Sequence, residues 1–445
     1  MPSYLSPGVY VHEVPSGNNV IMGVGTSTAA FIGLFPDTIQ CPGENPEYDP
    51  SKKATAEAAV SESEEEESEA NAEGKPAAAA KKKTAKSSST DNCPYILEKF
   101  KPVGPGEIKL ITNMSEFRRL FGGYSTDQGH RYLAHAVNGF FMNGGTRCFV
   151  VREKSESKIL TSALEKCKSI DEISMVAVPG ISDNTVRGWV VSHCEEMGDR
   201  FAILDCEEIT ESDDIFDRSN LKEPQNSDYA AYYIPWLNVF DPATKIQDPE
   251  SSGKQYIPPS GHIAGIYARV DSERGVHKAP ANEVVRGVGS ADDLKYRLSK
   301  SQQDGLNPIG CNCIRHLNGN VRVWGARTAG GDANGEWKYV NVRRLFLYLR
   351  ESIDKGTQWV VFEPNTEDLW QKITLNVSAY LTNVWRDGAL FGSTAEEAFY
   401  VKCDAETNPP EVRDIGQVVT EIGVAVAKPA EFVVFKISQW PGPGK

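Results

Sequence analysis

Serine is the first residue type to test for chemistry in this chain. Ser27 sits in Gly25-Thr26-Ser27-Thr28-Ala29, a spacing that also surrounds the nucleophile of subtilisin-type proteases. The nearby glycines invite comparison with a phosphate-binding loop. Chain order removes the first reading. Such triads run Asp, His, Ser along the chain, yet the residues before Ser27 hold one histidine, His12, and no aspartate. No Gly-x-Ser-x-Gly elbow occurs elsewhere, and a serine without an orienting base is a weak nucleophile. The phosphate reading fails because Gly23-x-Gly25 lacks a third glycine and no Gly-Lys-Ser/Thr follows a glycine-rich loop. The remaining reading is structural: Thr28 to Gly33 is small and apolar and suits a buried strand with close backbone packing.

Metal chemistry is equally unsupported. The nine cysteines are scattered, and Cys311-Asn312-Cys313 is the only close pair. No second pair or histidine cluster completes zinc spacing. His130 and His135 are five positions apart and share a helix face poorly. No catalytic, cofactor-binding or metal-binding residue is expected, and the chain is not expected to be an enzyme.

The elements around these residues set the class. At roughly 150 residues per domain, 445 residues suggest about three domains. A formal net charge of -14 argues against a nucleic-acid partner. The first residues carry no hydrophobic targeting pattern, no apolar run approaches about 18 residues, and free thiols in a reducing cytosol are expected. From Arg147 to Asp205 the runs "RCFVV", "ISMVAV" and "RFAILD" alternate with helical stretches such as Thr185 to Met197. That is α/β alternation with a covered, largely parallel sheet. Pro235 interrupts the extended "YYIPWLNVFDP", and Pro258-Pro259 can open a helix carrying Ile263, Ile266 and Tyr267. Farther on, Val342, Leu345, Phe346, Leu349 and Ile353 share one helix face. "QWVVFEP" reads as a buried strand. Asn365 or Thr366 then caps a helix with Leu369, Ile373, Val377, Tyr380, Leu381 and Val384 on its apolar face, while Lys372 and Arg386 fall away from it. Strands "AFYVKC", "GVAVA" and "EFVVFKIS" follow.

One segment breaks the pattern. Ser51 to Asn92 has no aromatic residue, and an acidic block, Glu62 to Glu69, precedes a basic one, Lys81 to Lys86. Such composition cannot bury enough apolar surface to offset chain entropy, so a solvated insertion is expected.

Both ends are strand-like and fenced by prolines. Val9, Tyr10, Val11, His12 and Val14 lie between Pro7 and Pro15. Phe432, Val433, Val434, Phe435 and Ile437 lie between Pro429 and Pro441. The second set is apolar on both faces and needs cover on both. Each end either closes its own domain's sheet or is exchanged into a neighbour's.

Several long stretches together carry a family resemblance: "YLSPGVYVHEVPSG", "GVGTSTAAFIG", "PPSGHIAGIYARVDSERGVHKAPANE", "NPIGCNCIR", "VRVWGARTAGG", "WKYVNVRRLFLYLRESIDKGTQWVVFEPN" and "VWRDGALFGSTAEEAFYVKCD". The chain resembles contractile tail sheath proteins of phage tails, R-type bacteriocins and extracellular injection systems. The resemblance implies an α/β, multi-domain fold: a subtilisin-like α/β middle domain (147–310) plus an α+β C-terminal sheath domain (311–427), with extended N- and C-terminal β-arms (1–25 and 428–445). Residues 26–40 and 93–146 would form the N-terminal part of the body, and 41–92 a disordered charged insertion. It further implies stacked hexameric rings around an inner tube, partners in baseplate and terminal cap proteins, and no direct membrane insertion. Assembly would be cytoplasmic, in a particle anchored at a membrane or released. Val9 to Val14 and Phe432 to Ile437 would be the arms. Lys372 and Arg386 would face the tube.

Overall fold

The computed structural model describes residues 20–48, 95–154, 157–208 and 225–436. They form two compact units, Gly25–Arg344 and the described part of 1–24 with 345–445.

The first unit opens with β1 (Ala29–Leu34), β2 (Ile39–Glu44), β3 (Tyr95–Phe100) and β4 (Ile108–Ile111), then α1 (Met114–Phe121), α2 (Gln128–Met142) and β5 (Cys148–Glu153). Next come α3 (Ser157–Cys167), β6 (Met175–Ala177), α4 (Asn184–Met197), β7 (Phe201–Asp205), β8 (Ala230–Ile234) and β9 (Leu237–Phe240). The unit continues through α5 (Pro242–Gln247), β10 (Lys254–Ile257), α6 (Ser260–Arg274), α7 (Lys300–Leu306), β11 (Cys311–Leu317) and β12 (Asn320–Val323). An eight-stranded sheet runs β12-β11-β8-β7-β6-β1-β5-β4. Its six inner strands are parallel, and β4 and β12 close the edges antiparallel. Strands β7 and β8 are buried along their whole length. A strand buried at every position needs helices on both faces of its sheet. The helix pairs α2–α6 and α3–α4 pack on this sheet, against β1, β5, β6 and β7.

Small residues let α2 and α6 approach closely. A Cβ on Gly261 would lie 2.3 Å from the Ala136 Cα, and one on Gly265 would lie 2.5 Å from the Phe140 carbonyl oxygen. The "GHIAG" run is therefore a backbone-contact surface. The motif that raised the protease question has a similar explanation. Ala29 to Phe31 lie at the centre of the sheet, paired with β5 and β6. The Thr26 hydroxyl donates to Asp271 at 2.6 Å, and among the described residues no histidine bonds Ser27. Asp271 also receives both Nη atoms of Arg344, at 2.9 and 2.6 Å, and Arg344 donates to the Thr26 carbonyl at 2.9 Å.

Three expectations need correction. The sheet does not stop at residue 310, because β11 pairs with β8 and β12 returns against β11. A returning edge strand carries no α/β alternation for sequence to read. Residues 41–44 are not insertion but the last four residues of β2, antiparallel to β3 with Cys41 opposite Glu98. Its partner lies more than fifty positions away, so the local sequence cannot reveal it. The remainder of the insertion, from residue 49, lies outside the described residues. "QWVVFEP" is not a buried strand either. Gln358–Val360 make a 3-10 turn, and Val361 and Phe362 are 58% and 102% exposed. The run is only as long as the link between two helices and has no room to pair. Phe362 adopts φ 68 there, an uncommon conformation for a bulky residue.

Two predictions follow from the core. Burial holds three imidazoles neutral: His130 at about 4, where its nitrogens also meet the Ser125 hydroxyl and the Phe121 carbonyl, His193 at about 4, and His262 at about 3. Unfolded histidine titrates near 6.5. Below that pH the unfolded chain takes up protons that the folded chain refuses, so stability falls from about pH 6.5 toward pH 4. Asp205 opposes the trend, since burial raises it to about 6 and its neutral form is gained on acidification. Three groups outweigh one, and urea midpoints should drop between pH 7 and 5; a flat or rising midpoint would contradict the assignment. Second, Arg344→Met leaves the buried Asp271 unpaired and should cost about 3–5 kcal/mol in denaturant unfolding, with Arg344→Met/Asp271→Leu recovering much of it.

Candidate assembly surfaces

The second unit has few strands and much exposed apolar surface. Its first helix, α8 (Val340–Thr357), begins in the first unit. It is followed by α9 (Glu367–Arg386), α10 (Ala395–Ala398), β13 (Phe399–Lys402), α11 (Pro410–Asp414) and β14 (Glu421–Val424). Thr366 is the N-cap of α9, and Glu367 and Asp368 fill the first turn, where the helix dipole favours acids. Leu369, Trp370, Ile373, Val377, Tyr380, Leu381 and Val384 are buried. The Trp370 indole N–H donates to the Asn365 side chain at 2.8 Å, and the Asn365 amide donates to the Gln417 carbonyl at 2.8 Å. Asn365 therefore ties the start of α9 to the link before β14.

The outer face of α9 carries both expected cations. Lys372 and Arg386 are exposed, as are Leu375, Ala379 and Asn383 between them. Fourteen positions at 1.5 Å rise separate the cations by about 21 Å. Leu375 is 65% exposed. The face is thus a positive charge at each end of an uncharged strip, and among the described residues neither cation makes an ion pair.

Strands β13 and β14 form a two-stranded antiparallel sheet, Phe399 opposite Val424 and Lys402 opposite Glu421. After β14 the chain continues against residues 389–391: Phe391 N–H donates to the Ala425 carbonyl at 2.7 Å and Ala427 N–H to that of Ala389 at 3.2 Å. Asn408, buried, fastens the connection by donating to the Asp404 and Val419 carbonyls and accepting from Val419 N–H. The outer edge of β13 has no partner strand among the described residues, and Tyr400 is 58% exposed. An unpaired edge is a template for another chain.

Of the expected arm residues, Val9, Tyr10, Val11, His12, Val14 and Ile437 lie outside the described residues. The others are visible. Phe432, Val433, Val434 and Phe435 are 71, 68, 79 and 82% exposed and belong to no strand among the described residues. Sequence reasoning missed the exposed Phe391 and Phe362, because apolar residues read as core unless a partner surface is known.

Comparison with known proteins gives a consistent picture. The family described as "Phage tail sheath protein central domain" matches residues 154–329, and "Phage tail sheath C-terminal domain" matches residues 332–439. Among curated proteins, the tail sheath protein of Vibrio phage KVP40 is 30% identical over 197 residues, 44% of this chain and 28% of that protein. The tail sheath protein of Burkholderia phage BcepMu is 27% identical over 200 residues, 44% of this chain and 41% of that protein. The matched region thus spans less than half of either relative. Among solved structures, a chain of the anti-feeding prophage baseplate, six-fold symmetrised, superposes with TM-score 0.65 at 26% identity, covering 98% of this chain and 99% of that one. The anti-feeding prophage helical sheath in its contracted state gives 0.66 at 25% identity, covering 98% and 100%. The sheath complex of an extracellular contractile injection system, also contracted, shares the fold with TM-score 0.68 at 23% identity and 99% coverage of each chain.

Exposure sets the prediction here. Phe432→Ser/Phe435→Ser should leave the melting of the unassembled protein within about 0.5 kcal/mol of the original, as for other surface changes. Leu381→Ala, in the buried stripe of α9, should cost about 2–5 kcal/mol. Equal losses in both variants would mean that the terminal segment packs on its own chain.

Proposed function

The chain belongs to the contractile tail sheath family, and we propose that it is the repeating structural subunit of a sheath in a phage-tail-like or extracellular injection particle. Subunits stack as hexameric rings around an inner tube. The stack shortens on a signal from the baseplate and drives the tube through a target envelope. A terminal cap protein closes the far end, and neither nucleic acid nor a catalytic step is involved. The observation that carries this reading is the segment Phe432 to Phe435, apolar on both faces and exposed on both.

Exchange of that segment into a neighbour's sheet accounts for its sequence. The unpaired edge of β13 offers the acceptor, and Tyr400 and Phe391 offer apolar cover nearby in the chain. A strand of five or six residues makes a few net hydrogen bonds, each worth about 0.5–1.5 kcal/mol. Val9 to Val14 is assigned the matching role at the other end. Lys372 and Arg386 are assigned to the tube. Exposed ion pairs are weak and screened by salt, which suits a contact that must be released during contraction.

Removal of Ala430 to Lys445 should yield folded protein that no longer polymerises. Circular dichroism melting reports the fold and negative-stain microscopy reports hollow striated cylinders. Cylinders from the truncated protein would refute exchange, and loss of a cooperative melt would favour local closure. Separately, Lys372→Glu/Arg386→Glu should polymerise but fail to hold the extended form around tube. Normal extended particles from that variant would refute the tube assignment and leave the arms untouched.

A further inference from the structure

The residues just before Gly25 lie along α8 in a contact that the proposed function does not require. Ile21 is 6% exposed, while Val20 and Met22 on either side are 73% and 79% exposed. One side chain of three is therefore inserted. Its socket is Gly356, in the last turn of α8, where a Cβ would lie 2.6 Å from Ile21 Cγ2 and 2.7 Å from Ile21 Cγ1. The next contacts climb the same helix face at four-residue spacing. Val24 N–H donates to the Ser352 hydroxyl at 3.1 Å. A Cβ on Gly23 would lie 2.0 Å from the Tyr348 hydroxyl. Glycine inside a helix costs about 0.8–1.0 kcal/mol relative to alanine. At position 356 that cost makes room for the Ile21 side chain.

We propose that Ile21, Gly356 and Ser352 form a clamp that fixes the root of the amino-terminal arm, so that the arm leaves its subunit at the carboxy-terminal end of α8. The function assigned to the clamp rests on the arm-exchange reading above. Its consequence is reach. Val14 is seven positions from Ile21, so a root fixed at Ile21 limits its reach to about 25 Å from there even when fully extended. Were the root freed back to Gly25, eleven residues would give about 39 Å. The larger volume lowers the effective concentration of the arm at a neighbour's sheet by about two- to fourfold. Ile21, Gly356 and Ser352 are thus positioning residues for assembly.

The test uses the full chain and reads three quantities: melting of unassembled protein, amide exchange of the 20–26 peptide, and the critical concentration for polymer by sedimentation. Gly356→Ala removes a helix-weakening glycine and should hold or raise the melting temperature. It should nevertheless displace Ile21, speed exchange at Val24, and raise the critical concentration about two- to fourfold. A residue with only a helical role would improve or not change assembly. Ile21→Ala should act in the same direction without touching the helix, which decides the matter if a change at 356 disturbs folding. Ile21→Ala/Gly356→Ala removes both colliding γ-carbons and should restore part of the exchange protection. Critical concentrations equal to the original in both single variants would overturn the clamp. Deletion of Met1 to Pro15 separates the two ideas. Normal polymer from it sinks the arm reading, whereas lost polymer there with normal polymer from the single variants sinks only the clamp.

Discussion

A buried guanidinium is the constraint on which much of the first unit depends. Arg344 is 4% exposed, and burial alone would drive its charge out. The pair with Asp271 more than offsets that effect, and its pKa is raised. An isolated charge in such a place is costly, so every donor needs a partner. Arg344 finds them on two elements: the Asp271 carboxylate on α6 and the Thr26 carbonyl before β1. The Arg344 Cζ lies over the Tyr267 ring, 4.7 Å from its centroid. Thr26 completes the circuit through its hydroxyl to Asp271. The motif that looked like a nucleophile's surroundings is one side of a structural ion pair, and the threonine rather than the serine is the residue in use.

The second unit follows a different economy of surface. Its helices bury a clean apolar stripe on α9, yet Phe362, Phe391, Leu375 and Phe432 to Phe435 face solvent. Soluble monomers seldom keep contiguous apolar area uncovered. For a single exchanged strand the balance is close. Four side chains gain about 1.5–3 kcal/mol each on full burial, while fixing each residue costs about 1–2 kcal/mol of backbone entropy. On the proposed exchange, one arm would therefore hold weakly. A ring and stack that closed many such contacts at once would be stable where one contact is not, so the proposed exchange would favour polymer over scattered dimers.

The sequence disclosed what periodicity can encode. Strands β5, β6 and β7 stood out as apolar runs, and the buried face of α9 was readable except for Trp370, which the apolar stripe did not include. On α8 the apolar pattern gave only part of the buried surface. Val342, Leu345 and Leu349 are buried, but Phe346 and Ile353 are half-exposed while Asn341, Arg344 and Ser352 are buried. Those polar positions are buried by partners distant in sequence: Asp271, the His277 carbonyl for Asn341, and Val24 for Ser352. Hydrophobic pattern cannot report a site whose burial is decided by a hydrogen bond to a remote residue. The same limit hid β2 and its β3 partner, and the edge hairpin β11–β12.

Perturbed ionisation often marks a functional site, and by that criterion Asp205 stands out in the first unit. Burial raises its pKa to about 6. Its oxygens, however, are already occupied. Oδ1 accepts from Ser260 N–H at 2.8 Å, and Oδ2 accepts from the Ser260 hydroxyl at 2.7 Å and Gly180 N–H at 3.1 Å. These donors lie at the first turn of α6 and in the loop after β6, and they lower the carboxyl's pKa without cancelling the burial effect. A helix start leaves backbone N–H groups without partners, and Pro259 before it offers no side-chain cap. Asp205, at the end of β7, supplies that cap. The perturbed carboxylate is thus accounted for by the need to satisfy a buried helix terminus. The Ser260 hydroxyl is a donor in that cap, which makes this serine–aspartate pair part of the first unit's own framework.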